Sequence, residues 1–171
     1  MEIFLAIVYL LVSLILGLLV TFSTTRLFIR AIRRKYNITH QNTSFAILLA
    51  SVIFSVGYII SGVLEPAFKM IATVRMLEKN GADVFFSVVK YGTIFGIVGF
   101  VVSFLVIFLA MYLFNFLNTE IEELEEISNN NIAVGILVGT IIIVITLFVK
   151  GSIIFFLENL IPYSELPRNI G

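Results

Sequence analysis

Four long stretches without any charged residue alternate with short charged segments along the chain. They cover residues 3–25, 41–64, 91–119 and 127–149. A helix needs about 20 apolar residues to cross a hydrocarbon core of about 30 Å, and each stretch is long enough. Strands of membrane barrels have about 10 residues and alternate between apolar and polar positions, which these stretches do not. The pattern therefore predicts an all-α integral membrane four-helix bundle.

The composition agrees with a membrane protein. Apolar residues make up 60% of the 171 residues and charged residues 13%. Soluble domains have about 45–50% apolar and about 25% charged residues, so a soluble globular enzyme is excluded. The formal net charge is zero, and the basic run is short, which argues against nucleic-acid binding. The expected partner is the lipid bilayer.

The first stretch predicts a retained span and not a signal peptide. The chain begins Met1-Glu2 without Lys or Arg, and no obvious cleavage site precedes Arg26. Basic residues are divided almost equally between the two faces, but the densest group follows the first span. By the positive-inside rule, we expect loops one and three in the cytoplasm and both termini outside.

Loops one and three lie on the same face in either orientation. Loop one is basic and loop three is acidic, with the charges on Arg26, Arg30, Arg33, Arg34 and Lys35, and on Glu120, Glu122, Glu123, Glu125 and Glu126. The two loops either dock through these charges or are both solvated at the headgroups. A third alternative is that the acidic loop binds cations or polyamines weakly.

Loop two, residues 65–90, has an apolar stripe at helical spacing. Pro66 near its start and Asn80-Gly81 near its end are typical of helix boundaries. The stripe consists of Ala67, Met70, Ile71, Val74 and Leu77. We expect a short amphipathic helix in the headgroup region, and the alternative is an ordinary loop. After the fourth span, residues 153–157 either continue the helix or turn along the surface.

An offset of 89 residues aligns the second span with the fourth. Asn42 then matches Asn131, and Gly62 matches Gly151. The alignment predicts two tandem two-span repeats in the same orientation, related by an axis along the membrane normal. The expected organisation is a first repeat, a loop, a second repeat and a tail, at residues 1–64, 65–90, 91–157 and 158–171.

Small residues four positions apart occur in three spans, at Ala46 and Ala50, at Gly92 and Gly96, and at Gly135 and Gly139. This spacing gives a helix a flat strip on which a second helix packs closely. We expect the second and fourth spans to meet centrally through these strips. We also expect the chain to form a homo-oligomer.

Two segments resemble a repeated motif of a known family. Residues 40–46 (HQNTSFA) and 129–135 (NNNIAVG) are similar to the twice-repeated Asn-x-Ala-x-Ala motif of the YjfL-like bacterial inner-membrane family, a domain-of-unknown-function family, and Tyr91-Gly92 also matches. Ser44 and Phe45 depart from the Ala pattern. The resemblance implies four spans in two repeats and a bacterial cytoplasmic membrane. It also implies a loose association with envelope-stress and polyamine-related systems, but no established reaction.

The sequence contains no catalytic motif. It has no Cys and one His, His40, which excludes thiolate nucleophiles, thiolate metal sites and paired-His zinc sites. We interpret His40 as a polar group at the membrane edge, with pH sensing as the alternative. We therefore expect no enzymatic activity, no cofactor and no metal.

Polar residues near the spans are the remaining candidates for function. Asn42 and Asn131 each precede a span, where Asn is a good helix N-cap. Alternatively, their two helix N-termini converge on an anion site. Lys150 either snorkels to the far interface or faces the interior as a functional residue. Hydrogen bonds between helices are expected of Tyr112, Asn115 and Thr146.

The sequence favours a non-catalytic, oligomerising membrane component with unidentified protein partners. The alternative is a channel or permease for ions or small solutes, with Asn42 and Asn131 at its mouth. The spans have few polar residues, so a single protomer cannot line an aqueous path. The channel alternative therefore requires an oligomer.

Overall fold

The computed structural model describes residues 2–36, 42–77, 81–117 and 123–161. The helices, in chain order, are α1 (Glu2–Lys35), α2 (Thr43–Leu77), α3 (Gly81–Leu117), α4 (Glu123–Ser128) and α5 (Ile132–Glu158). Four of them are long and apolar enough to cross a membrane. In lipid, a helix satisfies all its backbone hydrogen bonds internally, so stretches rich in Ile and Val form helices here. The predicted all-α four-helix bundle is confirmed.

The most extensive helix contact joins α2 and α5, which run in the same direction. Hydrogen bonds connect Ser61 with Lys150 and Lys69 with Glu158, and each pair is 89 residues apart. α1 and α3 run in the opposite direction and pack against α2. The start of α2 and the start of α5 therefore lie at one end of the bundle, together with α4.

The interior of the bundle is apolar. Its largest cluster contains fully buried residues of α2 and α5, among them Leu48, Val52, Val56 and Ile142. α1 is the least buried of the four long helices, because only 11% of its most apolar window is buried. Most of the surface of α1 is therefore exposed.

The segment predicted to be a separate interfacial helix is instead part of α2. α2 continues through Pro66 to Leu77, and α3 begins at Gly81, so the loop expected over residues 65–90 is much shorter. The apolar stripe does exist, but Met70 and Val74 on it are buried inside the bundle. They pack in one cluster with residues of α3 and α5, such as Phe95 and Leu157. Packing against two long neighbouring helices holds this stripe away from the headgroups.

Two further predictions concerned the end of the fourth span and His40. Residues 153–157 continue α5, which ends at Glu158. His40 lies outside the described residues.

The charge-free stretch of α1 is not level with those of the other long helices. Phe28 of α1 lines a cavity together with Phe104 and Met111 of α3. Phe104 lies at the middle of the charge-free residues 91–119, whereas Phe28 comes after the charge-free residues 3–25. At a rise of 1.5 Å per residue, α1 is displaced along the bundle axis by about 20 Å.

Candidate functional site

Asn42 joins the start of α2 to the end of α4. Its side chain is only 5% exposed. The Oδ1 atom accepts a 2.7 Å hydrogen bond from the backbone N–H of Phe45, which caps α2. The Nδ2 atom donates to the carbonyl oxygens of Ile127 at 2.6 Å and Ser128 at 3.0 Å. One amide side chain thus forms hydrogen bonds with a backbone N–H at the start of α2 and with carbonyl oxygens at the end of α4.

Asn131 is the N-cap of α5. Its Oδ1 atom accepts from the backbone N–H of Val134 at 3.4 Å, and its Nδ2 atom donates to Oε2 of Glu126 at 2.7 Å. Its backbone carbonyl accepts a 2.7 Å hydrogen bond from the hydroxyl of Ser44. The starts of α2 and α5 are therefore bonded directly to each other.

Asn130 completes this group of polar residues, and the sequence analysis missed it. Its Oδ1 atom accepts a 3.0 Å hydrogen bond from the backbone N–H of Ser44. Its φ of 64° is in the left-handed region, which Asn tolerates better than most residues. The run of Asn at residues 129–131 was the available signal. We call Asn42, Ser44, Asn130 and Asn131 the asparagine clasp.

The asparagine clasp meets its hydrogen-bonding needs largely within the protein. The N–H groups of Ser44, Phe45 and Val134 already donate to asparagine oxygens. The two helix N-termini do converge, but these donors face protein acceptors, not an open site. This geometry favours the capping interpretation of Asn42 and Asn131 over the anion-binding one.

The glycines of α5 lie against serines of α2. A Cβ atom at Gly135 would be 2.5 Å from Oγ and 2.8 Å from the backbone oxygen of Ser44, and a Cβ at Gly139 would meet the side chain of Ser51. By contrast, Ala46 and Ala50 are exposed. Ser44 and Ser51 are seven residues apart, on the helix face that meets α5. The small-residue contact thus pairs glycines with serines and leaves the two alanines outside it.

The glycines of α3 divide between two neighbours. A Cβ at Gly96 would be 3.5 Å from Leu16 of α1, whereas nothing lies within 4 Å of the corresponding position at Gly92. Both glycines line an apolar cleft between α1 and α3. Gly99 makes the closest approach, since a Cβ there would be 2.8 Å from Ile60 of α2.

Lys150 lies in the contact between α2 and α5. Its Nζ atom is 2.9 Å from Oγ of Ser61 and 4.0 Å from the ring centroid of Tyr58. Gly62 makes room for its stem, because a Cβ there would be 2.9 Å from Cγ of Lys150. A hydrogen bond to a hydroxyl and a cation–π contact with an aromatic ring, both on α2, therefore stabilise this cation.

Lys69 forms ion pairs at the end of the bundle opposite the asparagine clasp. Its Nζ atom lies 3.0 Å from Glu65, on the next turn of α2, and 2.5 Å from Glu158 of α5. All three side chains are partly or largely exposed. Polar interactions thus bound the α2–α5 contact at both of its ends.

The polar residues expected to bond between helices do not all do so. The hydroxyl of Thr146 donates to the carbonyl of Ile142 in its own helix. Tyr112 is 61% exposed, and the side chain of Asn115 is outside the described part. The buried hydroxyls of Thr24 and Ser55 have no hydrogen-bond partner.

Two basic residues of α1 and a serine form an exposed face that has no acidic partner among the described side chains. Ser23, Arg26 and Arg30 follow one another at helical spacing and line a concavity of about 440 Å³. We call these three residues the arginine face. The ion pairs found in the described chain join Lys69 to its two glutamates. The expected docking of loops one and three therefore has no ion pair among the residues described there, and Glu126 bonds to Asn131.

Comparison with known proteins assigns this chain to a family. Within the described parts of the chain, no group of His, Cys, Asp or Glu side chains is arranged to hold a metal ion. No curated protein and no solved structure matches the chain significantly. A family model does match, over residues 1–153. The chain therefore belongs to the family described as Domain of Unknown Function (DUF350).

Proposed function

We propose that this protein is a non-catalytic component of a bacterial cytoplasmic membrane and acts as an oligomer. In the oligomer, a second copy of the chain covers the outer surface of α1. The observation that carries the proposal is the depth of Arg26 and Arg30 in the bundle. Both are exposed, yet they lie level with the most apolar part of the neighbouring helices.

The depth follows from the contacts of α1 with α3. Ser23 shares a cleft with Phe100, and Phe28 shares a cavity with Phe104. Arg26 lies between these two levels, and Arg30 lies half a turn beyond Phe28. Both arginines are therefore near the middle of the charge-free residues 91–119 of α3.

Lipid is a poor environment for this face of α1. A charged side chain at the centre of a bilayer costs about 2.5–3.5 kcal/mol on insertion scales. Arginines inside membranes therefore face protein or water and seldom lipid. The groups that shield the arginine face from lipid must come from outside the protomer, because the face points away from the core that contains Val20, Phe28 and Ile32.

The other half of α1 has the opposite mismatch. Val12 lines a cavity with Met70 of α2, so this half is level with the ion pairs of Lys69. At that polar level α1 exposes large apolar residues, among them Leu10, Leu11 and Leu14. The outer surface of α1 thus exposes arginines at the level of the lipid and leucines at the level of the polar ion pairs.

A second copy of the same chain resolves both mismatches. Around a symmetry axis along the membrane normal, each level of α1 meets the same level of its partner. The apolar half then packs on apolar residues, and the arginine faces meet away from lipid.

Cysteine cross-linking tests this arrangement directly, because the chain has no native Cys. Leu19 is 60% exposed on the side of α1 that carries the arginine face, and Phe148 is 78% exposed on α5. We expect Leu19→Cys to form a disulfide dimer in membranes on mild oxidation, and Phe148→Cys to remain monomeric. Equal cross-linking of both variants, or of neither, would contradict the proposal.

The internal duplication is part of the proposal. The hydrogen-bonded pairs Ser61–Lys150 and Lys69–Glu158 have the separation of 89 residues that also aligns Asn42 with Asn131. Corresponding positions facing each other are what an axis along the membrane normal produces for two parallel helices. This register supports a duplicated two-span unit.

We further propose that both termini face the outside. In this orientation, Met76→Cys near the end of α2 reacts with an impermeant thiol reagent added to intact cells. Glu125→Cys in α4 reacts only after the membrane is permeabilised. The reverse labelling pattern would reverse the orientation.

The channel or permease alternative is favoured by one observation. Charged residues at membrane depth commonly mark the paths of ions and substrates, and the arginine face has this depth. The core of one protomer is apolar, so a path can exist only between copies. This alternative leads to a specific ligand class.

A further inference from the structure

We propose that Arg26 and Arg30 bind small inorganic anions and, together with Ser23, line an anion-conducting path at the axis of the oligomer. This inference rests on the proposed oligomer, because one protomer supplies only one side of the path. The ligand class follows from the charge, the donor geometry and the surroundings of these three residues.

The residues of the arginine face lie on one side of α1. Arg26 and Arg30 are one helical turn apart and therefore lie on the same side of α1, and Ser23 is about one turn earlier. Each guanidinium has five N–H donors and no acceptor, and the hydroxyl of Ser23 adds another donor. Their shared concavity has a volume of about 440 Å³, which is ample for a monatomic or tetrahedral anion.

None of the acidic side chains that the structure describes forms an ion pair with these arginines. Glu65 and Glu158 are bonded to Lys69, and Glu126 is bonded to Asn131. The remaining described carboxylates are those of Asp83 and Glu125, near the two ends of the bundle. The guanidinium carbon of Arg26 lies 5.7 Å from the centroid of the Phe22 ring.

Assembly increases the positive charge at this level and does not cancel it. A symmetric partner brings its own arginines to the same depth, and in a low-dielectric region these like charges repel strongly. The charge must therefore be balanced by anions from outside the protein, and cations are repelled from the path.

Chloride flux tests the inference with vesicles made only of zwitterionic phosphatidylcholine. We expect the wild-type protein to carry chloride with anion-over-cation selectivity, and Arg26→Gln/Arg30→Gln to lose at least tenfold of this flux. The control is Arg75→Gln/Lys90→Gln, which removes two exposed positive charges at the other end of the bundle. We expect the control to conduct like the wild type.

Cross-linking through Leu19→Cys in each background separates this inference from the proposed oligomer. Cross-linking without any chloride flux, or with flux unchanged in the double arginine variant, overturns the anion path and leaves the oligomer in place. Loss of cross-linking in the wild-type background overturns the oligomer itself. If cross-linking needs added phosphatidylglycerol and chloride flux is absent, the anion is a lipid headgroup and the assignment to inorganic anions is overturned.

Discussion

The hydroxyl of Ser44 donates a 2.7 Å hydrogen bond to the backbone carbonyl oxygen of Asn131 and thereby connects the first turns of α2 and α5. One turn further along α5, Gly135 has no side chain to separate the two backbones. The close approach and the hydrogen bond depend on each other, because each requires the helices to stay in contact at this end.

Gly135→Ala is expected to destabilise the protein by about 1–3 kcal/mol, the usual cost of overpacking. The added Cβ would lie 2.8 Å from a backbone oxygen of Ser44, which cannot move without shifting α2. The matched control is Gly57→Ala, where nothing lies within 4 Å. Because Ala is the better helix former, the control should be neutral or slightly stabilised. Unfolding by SDS in mixed micelles measures both, and equal stabilities would contradict the close contact.

Asn42→Ala is expected to lower the free energy of unfolding by about 1–3 kcal/mol, because it leaves buried backbone groups without partners. Asn42→Asp keeps the acceptor for Phe45 but loses the amide donor to Ile127 and Ser128. We expect Asp to be nearly as damaging as Ala. Asn129→Ala, at an exposed position, is the control and should be close to neutral. A fully stable Asn42→Asp protein would mean that capping of α2 is the only role of Asn42.

Lys150 and Ser61 are expected to be energetically coupled. A double-mutant cycle with Lys150→Met and Ser61→Ala should give a coupling of about 0.6 kcal/mol, the average for hydrogen bonds in membrane bundles. The comparison cycle replaces Ser61→Ala with Thr93→Ala, whose hydroxyl bonds within α3. That cycle should show no coupling. Coupling of similar size in both cycles would argue against the contact between α2 and α5 at this position.

Two methionines test whether α2 extends past Pro66 into the bundle. Met70 is 1% exposed and Met76 is 65% exposed. Met70→Ala should cost about 2–5 kcal/mol through loss of burial and a cavity, whereas Met76→Ala should be nearly neutral. If this segment lay on the membrane surface instead, the two substitutions would have similarly small effects.

The positions of the second, third and fourth spans followed from the sequence, because charged residues are costly in the hydrocarbon and so delimit each of these helices locally. The two capping positions also followed, since Asn42 and Asn131 bond to N–H groups only three residues away. These features depend only on residues that are close together in the sequence. The family was visible for the same reason, in two short motifs around these residues.

The tertiary structure decided which faces meet. The sequence offered Ala46 and Ala50 as a contact strip, but the register of α2 against α5 turns Ser44 and Ser51 toward the glycines. In an apolar helix all faces look alike, so only the neighbouring helix determines which one is buried. Similarly, the stripe containing Met70 fits both a membrane surface and a protein interior, and packing against α3 and α5 selects the interior.

The sequence by itself determined that the chain has four helices able to cross a membrane, approximately where three of them cross and which residues begin two of them. Only the tertiary structure decided that α1 is displaced along the bundle and that Arg26 and Arg30 lie level with the middle of α3. A hydropathy profile scores each helix separately for its partition into lipid. The depth of one helix relative to another depends on how the two helices pack. That relation places two arginines of a predicted loop level with apolar residues of the neighbouring helices.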